Sequence, residues 1–378
     1  MRASSDRVAI QLISTGGYYG AERALVELAA YLREAGWRSH VVALEGQGAT
    51  ELVQRASERG LSAEAFVPYG RLHLVPMLRR IRELLALHPQ ALLHSHGYKP
   101  DILLALLGAP RHFPCLATCH NWISETLKMR LLEACDKRAL RRFDRVVAVS
   151  DQIAHELIRS GVPPGTVAVI DNGISAAPVD PAARESVRAE LAIPEERALL
   201  VHVGRLARSK RIDLLLECVA QLPAQLGATL LLAGEGEERE RLGQLARHLG
   251  LGERVRFCGY RRDVARLLSA ADLFVLSSER EGLPISILEA MAAACPIVST
   301  RVGAIPRVLE DGTDAWLVPP RDGPALLGAL LEALSAPDQA RARARHAQDK
   351  FAARYSQRAM GERYLRIYEA VLAQRPRR

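Results

Sequence analysis

The sequence has few aromatic residues, no closely paired cysteines and no long apolar run. Aromatic residues make up only 5% of the 378 residues, so no stacking platform for nucleic acid is visible. The six cysteines form no C-x-x-C pair, which favours buried free thiols in a reducing compartment. No stretch approaches the roughly 18 uninterrupted apolar residues of a transmembrane helix. The N-terminus also lacks the long apolar region of a secretory signal. We therefore expect a cytoplasmic protein that does not bind nucleic acid.

The rest of the composition is that of a globular protein. Apolar residues account for 49% and charged residues for 25%, and the length favours two domains. The formal net charge is +8, and basic residues concentrate in three segments, 71–82, 128–145 and 341–378. These segments are either solvated helix faces or surfaces that attract anionic lipid headgroups or a diphosphate-bearing acceptor.

Short apolar segments alternate with segments of helical spacing, and the scheme occurs twice. Strands are predicted at 7–14, 40–44, 91–94, 115–118, 145–149, 199–203, 229–233, 255–257, 273–276 and 296–299. Near-continuous apolar strands between helices are typical of parallel sheets covered on both faces. The sequence thus predicts an α/β protein of two doubly wound, Rossmann-like domains facing across a cleft, with boundaries at 1–175 and 176–352. The proline-containing segment 175–197 is the best candidate for a linker.

The segment 278–294 contains two glutamates spaced eight residues apart, Glu281 and Glu289. Ligands of doubly wound sheets bind outside the carboxyl ends of the strands, and this segment follows such an end. Pro284 fits the first turn of a helix, so the backbone around it offers a helix N-terminus to an anion. The residues concerned are Gly282, Leu283, Pro284 and Ile285. Glu289, inside the helix, can accept hydrogen bonds from two neighbouring hydroxyls such as those of a ribose. The alternative is that both glutamates are ordinary surface acids.

Other strand ends carry cations, glycines and histidines. Arg205 and Lys210 follow the strand at 199–203 and suit a diphosphate, unless they only form salt bridges at the rim. The glycines of the remaining loops are Gly16 and Gly17 in the first half and Gly234 and Gly236 in the second half. A lone G-x-G is weak evidence, and no G-x-G-x-x-G fingerprint is present.

Three histidines lie at adjacent strand ends in the first half. They are His94, His96 and His120, with Asn121 directly after His120. A single histidine at such a place is usually structural, but three together make contact with a substrate more plausible. We expect His120 and His96 to touch substrate.

No D-x-D pair occurs anywhere in the chain. A metal ion that bridges a sugar diphosphate would need clustered carboxylates. The cations Arg205 and Lys210 and a helix N-terminus can replace it. The sequence therefore predicts diphosphate binding without a metal ion, and no cofactor.

These loops resemble those of the retaining glycosyltransferases of family 4, which have the GT-B fold. The resemblance covers nearly the whole chain and rests on several ordered motifs. They are G-A-E-R at 20–23, A-V-S at 148–150, D-N-G-I at 171–174, V-G-R-L-x-x-x-K at 203–210, A-G-E-G at 233–236 and E-G-L-P-I-S-I-L-E-A-M-A at 281–292. The last is the family's E-x7-E motif.

The resemblance implies a role for each matched residue. Arg205 and Lys210 would hold the donor diphosphate, Glu289 the ribose, and Glu281 the hydroxyls of the transferred sugar. His120 would lie near the 6-hydroxyl of that sugar. The backbone after Gly282 would meet phosphate or sugar.

The resemblance also implies a mechanism and a C-terminal crossover. The departing phosphate itself would take the acceptor's proton on the face of attack, which retains the anomeric configuration. The C-terminal helix, residues 353–378, would cross back onto the first domain.

The chain departs from the family pattern at Tyr18 and Tyr19, which extend the first glycine loop. This leaves open which amides of that loop face the phosphate and how the acceptor pocket is shaped.

The sequence predicts a sugar transferase at the inner face of the plasma membrane. The donor would be a UDP- or GDP-linked sugar, and the acceptor a growing glycan, expected to be lipid-linked, in cell-surface polysaccharide or lipopolysaccharide synthesis. Two alternatives remain: a catalytically silent subunit that binds nucleotide sugar, and a nucleotide-sugar epimerase of the same fold.

Overall fold

A computed structural model describes residues 7–15, 20–44, 49–66, 74–120, 127–176 and 180–375. The chain divides into two compact units. Unit 1 comprises Met1–Ser175 together with Arg354–Arg378, and unit 2 comprises Ala176–Ala353. The chain thus passes between the units twice.

The strands of the described ranges are parallel and form one sheet in each unit. Unit 1 contains β1 Val8–Ser14, β2 Arg38–Leu44, β3 Ser62–Phe66, β4 Leu92–His96, β5 Cys115–Cys119, β6 Arg145–Ala148 and β7 Val167–Val169. Unit 2 contains β8 Leu199–Val203, β9 Thr229–Ala233, β10 Val255–Gly259, β11 Leu273–Leu276, β12 Ile297–Thr300 and β13 Trp316–Val318. The orders are β3-β2-β1-β4-β5-β6-β7 and β10-β9-β8-β11-β12-β13.

Helices connect the strands in both units. They are α1 Gly20–Glu34, α2 Ala49–Glu58, α3 Leu74–Leu87, α4 Tyr98–Leu106, α5 Ala109–His112, α6 Leu127–Leu140, α7 Asp151–Arg159, α8 Ala183–Glu190, α9 Ile212–Gln221, α10 Arg239–His248, α11 Val264–Ala270, α12 Ile285–Ala292, α13 Ile305–Val308, α14 Gly323–Ser335, α15 Pro337–Lys350 and α16 Gln357–Gln374. A π-helical turn, Phe351–Tyr355, separates the last two. Among these described helices none is long and apolar enough to cross a membrane.

The central strands are buried on both faces because they are apolar almost throughout. Strand β9, Thr-Leu-Leu-Leu-Ala, is buried at every residue, and β11 and β12 are as well. Such strands can lie only between two layers of helices. The prediction of two parallel-sheet, Rossmann-like domains is confirmed.

Three strands were not predicted. They are β3, β7 and β13, and each lies at an edge of its sheet. The segment 175–197 was interpreted as a linker, but it contains α8, whose Arg188 is buried and pairs with Asp272 at 2.9 Å. The prolines of this segment bracket a helix that belongs to unit 2.

The C-terminal helix α16 packs in unit 1, against α1. Gly361 lies at the contact, where a Cβ would come within 2.2 Å of the Tyr31 ring. Tyr364 and Tyr368 of the same helix are buried beneath the sheet. Helix α16, which follows the π-helical turn, therefore completes unit 1.

Candidate functional site

The loops after β8 and β11 in unit 2 bring Lys210 and Glu281 together. The Lys210 Nζ atom lies 2.5 Å from Glu281 Oε1, and the two side chains are 19% and 9% exposed. The hydroxyl of Ser278 donates to the same oxygen at 2.6 Å. An ammonium group and a carboxylate are thus fixed side by side, close to the surface, at the carboxyl ends of neighbouring strands.

Buried serines hold the two loops against each other. Ser277 Oγ lies 2.9 Å from the Lys210 carbonyl oxygen and 3.0 Å from that of Arg211. The Glu279 amide donates to the Ser209 carbonyl at 2.9 Å. Sequence reasoning missed Ser277 and Ser278. Their position between a buried strand and Glu281 was the available signal, because a buried hydroxyl needs a hydrogen-bond partner.

Arg205 lies at the rim of this site. Its side chain is 72% exposed and its guanidinium contacts Glu237 at 3.1 Å. The pair is a surface ion pair, which contributes little to stability. Arg205 is therefore a cation that an anionic ligand can recruit at small cost.

Gly234 and Gly236 let the loop after β9 pack against the loop after β8. A Cβ on Gly234, whose φ is +149°, would come within 1.9 Å of the Gly204 carbonyl oxygen. A Cβ on Gly236 would come within 2.4 Å of the Leu206 carbonyl oxygen. In this structure both glycines are needed for the contact between loops, which places the backbone next to Arg205.

The segment after Glu281 begins an eight-residue helix, α12. Pro284 was predicted in the first helical turn, but it lies one residue earlier, at the N-cap position, and the helix starts at Ile285. Gly282 is exposed, with no atom within 4 Å of where a Cβ would be, so a ligand can approach its backbone. Glu289 lies inside α12 and is half-buried, as the spacing predicted.

Gly303 supports the same segment and was not predicted. Its φ is +56°, and a Cβ there would come within 2.1 Å of the Glu281 carbonyl oxygen. The amide of Ala304 donates to the Gly282 carbonyl at 2.9 Å. The loop after β12 therefore fixes the backbone that carries Glu281.

His94, His96 and His120 of unit 1 take part in two separate sets of buried hydrogen bonds. His96 Nε2 lies 3.2 Å from Gln11 Oε1, and His96 Nδ1 lies 3.4 Å from His120 Nε2. Because the Gln11 oxygen can only accept, His96 Nε2 carries the proton and His120 Nε2 donates to His96. His94 lies deeper and bonds to Tyr368 and Thr118, each at 2.7 Å.

Burial keeps these imidazoles neutral. It lowers the pKa of His94 to about 3 and that of His120 to about 4, and the pKa of His96 falls well below its usual range. His94 bonds to Tyr368 and so holds α16 in place. His120 is the last member of the hydrogen-bonded set Gln11–His96–His120 and retains Nδ1 as an acceptor. The structure brings His96 and His120 together, as expected from their positions.

Several predicted residues lie outside the described ranges. They are Gly16, Gly17, Tyr18, Tyr19 and Asn121. In the part of the chain that is described, no group of histidine, cysteine, aspartate and glutamate side chains could hold a metal ion.

Two families match the sequence, one in each half. Residues 18–177 match Glycosyltransferase Family 4, and residues 183–350 match Glycosyl transferases group 1. The D-inositol 3-phosphate glycosyltransferase of Corynebacterium jeikeium is 31% identical over 306 residues, covering 74% of this chain and 72% of that protein. The chain therefore belongs to the family 4 glycosyltransferases.

Two further relatives are matched over a smaller part of their length. The N-acetyl-alpha-D-glucosaminyl L-malate synthase of Bacillus anthracis is 28% identical over 62% of this chain and 61% of its own length. The lipopolysaccharide core biosynthesis glycosyltransferase LpsE of Rhizobium meliloti is 35% identical over 48% of this chain and 52% of its own. Less than two thirds of each of these two proteins is thus covered.

The crystal structure of Anabaena HepE in complex with UDP has the same fold. It covers 96% of this chain and 99% of its own with a TM-score of 0.82 and 22% sequence identity. HepE has also been solved with UDP-glucose. The GT-B fold predicted from the sequence is confirmed.

Proposed function

We propose that this protein is a retaining glycosyltransferase. It transfers a sugar from a UDP- or GDP-linked donor to a glycan acceptor, without a metal ion. The observation that carries the proposal is the Lys210–Glu281 pair: a cation and a carboxylate held 2.5 Å apart at strand ends, beside the exposed backbone of Gly282.

Each half of this pair suits one part of a nucleoside diphosphate sugar. Lys210, together with the rim cation Arg205, supplies positive charge to the diphosphate and stabilises the negative charge that grows on the leaving group. Glu281 accepts hydrogen bonds from hydroxyls of the sugar, and Glu289 accepts from those of the ribose. Ser278, which donates to Glu281, keeps that carboxylate oriented.

The proposed reaction proceeds on one face of the sugar. The bond from the anomeric carbon to the diphosphate breaks, the acceptor oxygen bonds to the same face, and the departing phosphate takes the acceptor's proton. His120, neutral and with Nδ1 as an acceptor, receives a hydrogen bond from a sugar hydroxyl. The configuration at the anomeric carbon is retained.

The relatives support a glycan acceptor. They include the lipopolysaccharide core enzyme LpsE and a putative colanic acid biosynthesis glycosyltransferase, WcaL, of Salmonella typhimurium. The UDP bound to HepE supports a nucleotide donor. We propose a lipid-linked acceptor in cell-surface polysaccharide or lipopolysaccharide synthesis, and action at the inner face of the plasma membrane.

The proposal predicts that Lys210→Ala and Glu281→Ala each lower kcat/KM at least about 100-fold, the scale of charge stabilisation in such sites. The measurement is release of nucleoside diphosphate from a panel of UDP- and GDP-sugars with a glycan acceptor fraction. Arg247→Ala and Glu240→Ala, at exposed positions of α10, are the matched controls and should retain activity. Near-normal rates in both site variants would contradict the assignment.

The same donor panel separates the two alternatives when the nucleotide sugar products and donor binding are also measured. An epimerase would convert the donor with no acceptor present, and the product would be an isomeric nucleotide sugar. A silent binding subunit would bind donor and transfer nothing, and its Lys210→Ala variant would lose binding only.

A further inference from the structure

His202 is a fully buried polar residue in an otherwise apolar strand. Strand β8 reads Leu-Leu-Val-His-Val, and His202 is 0% exposed. An unused hydrogen-bonding atom in such a place costs free energy, so a partner for each ring nitrogen is expected.

Among the described residues, one ring nitrogen of His202 has a hydrogen-bond partner. His202 Nδ1 lies 3.0 Å from the Val275 carbonyl oxygen. Because a carbonyl oxygen only accepts, Nδ1 carries the hydrogen and Nε2 presents a lone pair. Within the described residues, Nε2 has no hydrogen-bond partner. Burial lowers the pKa of His202 to about 4, so the ring stays neutral. The hydrogen bond to Val275 opposes this shift, and the charge of Lys210 adds to it.

His202 Nε2 lies close to the loop that carries Lys210. The point where a Cβ on Gly204 would lie is 3.5 Å from His202 Nε2 and 3.9 Å from Lys210 Cε. The ring nitrogen and the end of the lysine side chain thus flank the same small space. One offers an acceptor and the other has only donors.

We propose that His202 is a positioning residue for Lys210, holding the ammonium group toward the donor diphosphate through its Nε2 lone pair. The inference rests on the proposed function, in which Lys210 faces the donor diphosphate and Glu281 accepts hydrogen bonds from the sugar. Glu281 then shares its acceptor oxygens between Lys210 and the sugar hydroxyls, and His202 Nε2 supplies a further acceptor for the ammonium group. A neutral acceptor orients the lysine without competing for its charge.

Three substitutions separate the two ring nitrogens. His202→Asn keeps a donor near the position of Nδ1, for Val275, and places nothing at Nε2. His202→Gln places an acceptor near the position of Nε2. His202→Phe removes both. His248→Asn, at an exposed position of α10, is the matched control.

We expect His202→Asn and His202→Phe to lower kcat/KM for the donor about ten-fold, the scale of a hydrogen bond to a charged group. His202→Gln should stay within about three-fold of the wild type by the same scale. In a Lys210→Ala background, His202→Asn should have no further effect. A residue with a purely structural role would lower activity in both backgrounds. Thermal unfolding of each variant is measured as well, to detect any loss of stability.

Full activity of His202→Asn would overturn the inference. So would a fall in kcat/KM on His202→Asn that is as large in the Lys210→Ala background as in the wild type. Failure of the proposed function looks different, because Lys210→Ala itself would then be as active as the wild type.

The tautomer of His202 can be measured in the wild-type protein, so this test does not depend on the folding of any variant. The 15N NMR signals of the His202 ring should show a protonated Nδ1 and an unprotonated Nε2 between pH 6 and pH 8. A proton on Nε2 would remove the acceptor and with it the inference.

Discussion

At the scale of single residues, unit 1 contains a buried pair of carboxyl groups, those of Asp101 and Asp136. Asp101 of α4 is 0% exposed and Asp136 of α6 is 1% exposed. Burial first, and then the neighbouring Asp136, raise the pKa of Asp101 well above its usual range. Cys119 lies close by, and its raised pKa keeps it a thiol. The site therefore favours a protonated Asp101.

This pair predicts a loss of stability at higher pH. An acid whose folded pKa exceeds its unfolded value stabilises fully below the unfolded pKa, about 4 for aspartate, and loses that contribution as the pH rises toward the folded pKa. Asp101→Asn removes the titration. From pH 5 to pH 8, the melting temperature of the wild type should fall relative to that of the variant, by about 2–4 °C for each kcal/mol of stability lost. Asp338→Asn, at an exposed site, is the control. A constant difference between variant and wild type across this range would contradict the account.

The sequence allowed the charged residues of the site to be predicted but not their supports. Lys210 and Glu281 stand out because charged residues at strand ends are costly to bury and suit anions and hydroxyls. Ser277, Ser278 and Gly303 do not stand out, because serine and glycine are common in every loop. Their roles depend on which loops become neighbours, and that is decided by the order of strands in the sheet.

At the scale of elements, the strands that sequence reasoning found and those that it missed differ in position. The bounds of β8, β9 and β11 were predicted as the structure has them, because central strands are continuous apolar runs. Strand β3, Ser-Ala-Glu-Ala-Phe, lies at an edge and is nowhere fully buried. Strands β7 and β13 also lie at edges and have only three residues each, too few for any periodicity to show. The fourth edge strand, β10, has five residues and was predicted in part, at 255–257.

Helix α3 carries the basic segment 71–82, of which residues 74–82 are described, and an exposed apolar end. Leu74 and Val75 are 49% and 69% exposed, and the Arg79 side chain is 83% exposed. Apolar and basic side chains on one helix end suit an anionic membrane surface, where each basic residue contributes about 1 kcal/mol. We propose that this end of α3 contacts the membrane.

Vesicle sedimentation at low salt tests that proposal. The wild type should bind vesicles that contain anionic lipid more tightly than neutral vesicles. The double variant Leu74→Ser, Val75→Ser should bind about ten-fold less tightly than the wild type. Full burial of a leucine or valine side chain contributes about 1.5–3 kcal/mol, which is the upper limit for each of the two side chains. Leu106→Ser, at an exposed leucine of α4, is the control. No preference of the wild type for anionic vesicles would refute it.

At the scale of the whole molecule, the chain forms two units, each with its own sheet and its own buried core. Within unit 1, the segment that ends at Ser175 lies beside the segment that begins at Arg354, since the Ile174 amide donates to the Tyr355 carbonyl at 3.0 Å and the Gln357 amide to the Ile174 carbonyl at 2.8 Å. Gly173 is needed there, because a Cβ would come within 2.4 Å of the Ser356 carbonyl oxygen. Two residues of the D-N-G-I motif, Gly173 and Ile174, thus pack against the segment 355–357, which leads into α16.

The proposed function depends on the recognition of a nucleoside diphosphate sugar by the Lys210 site. Thermal unfolding with a panel of UDP- and GDP-sugars tests this most directly, since a ligand at 100 times its Kd stabilises by about 2.7 kcal/mol. We predict that one donor class raises the melting temperature of the wild type and that Lys210→Ala abolishes the increase, while Arg247→Ala retains it. A panel with no effect on the wild type, or an equal increase in Lys210→Ala, would contradict the proposed function.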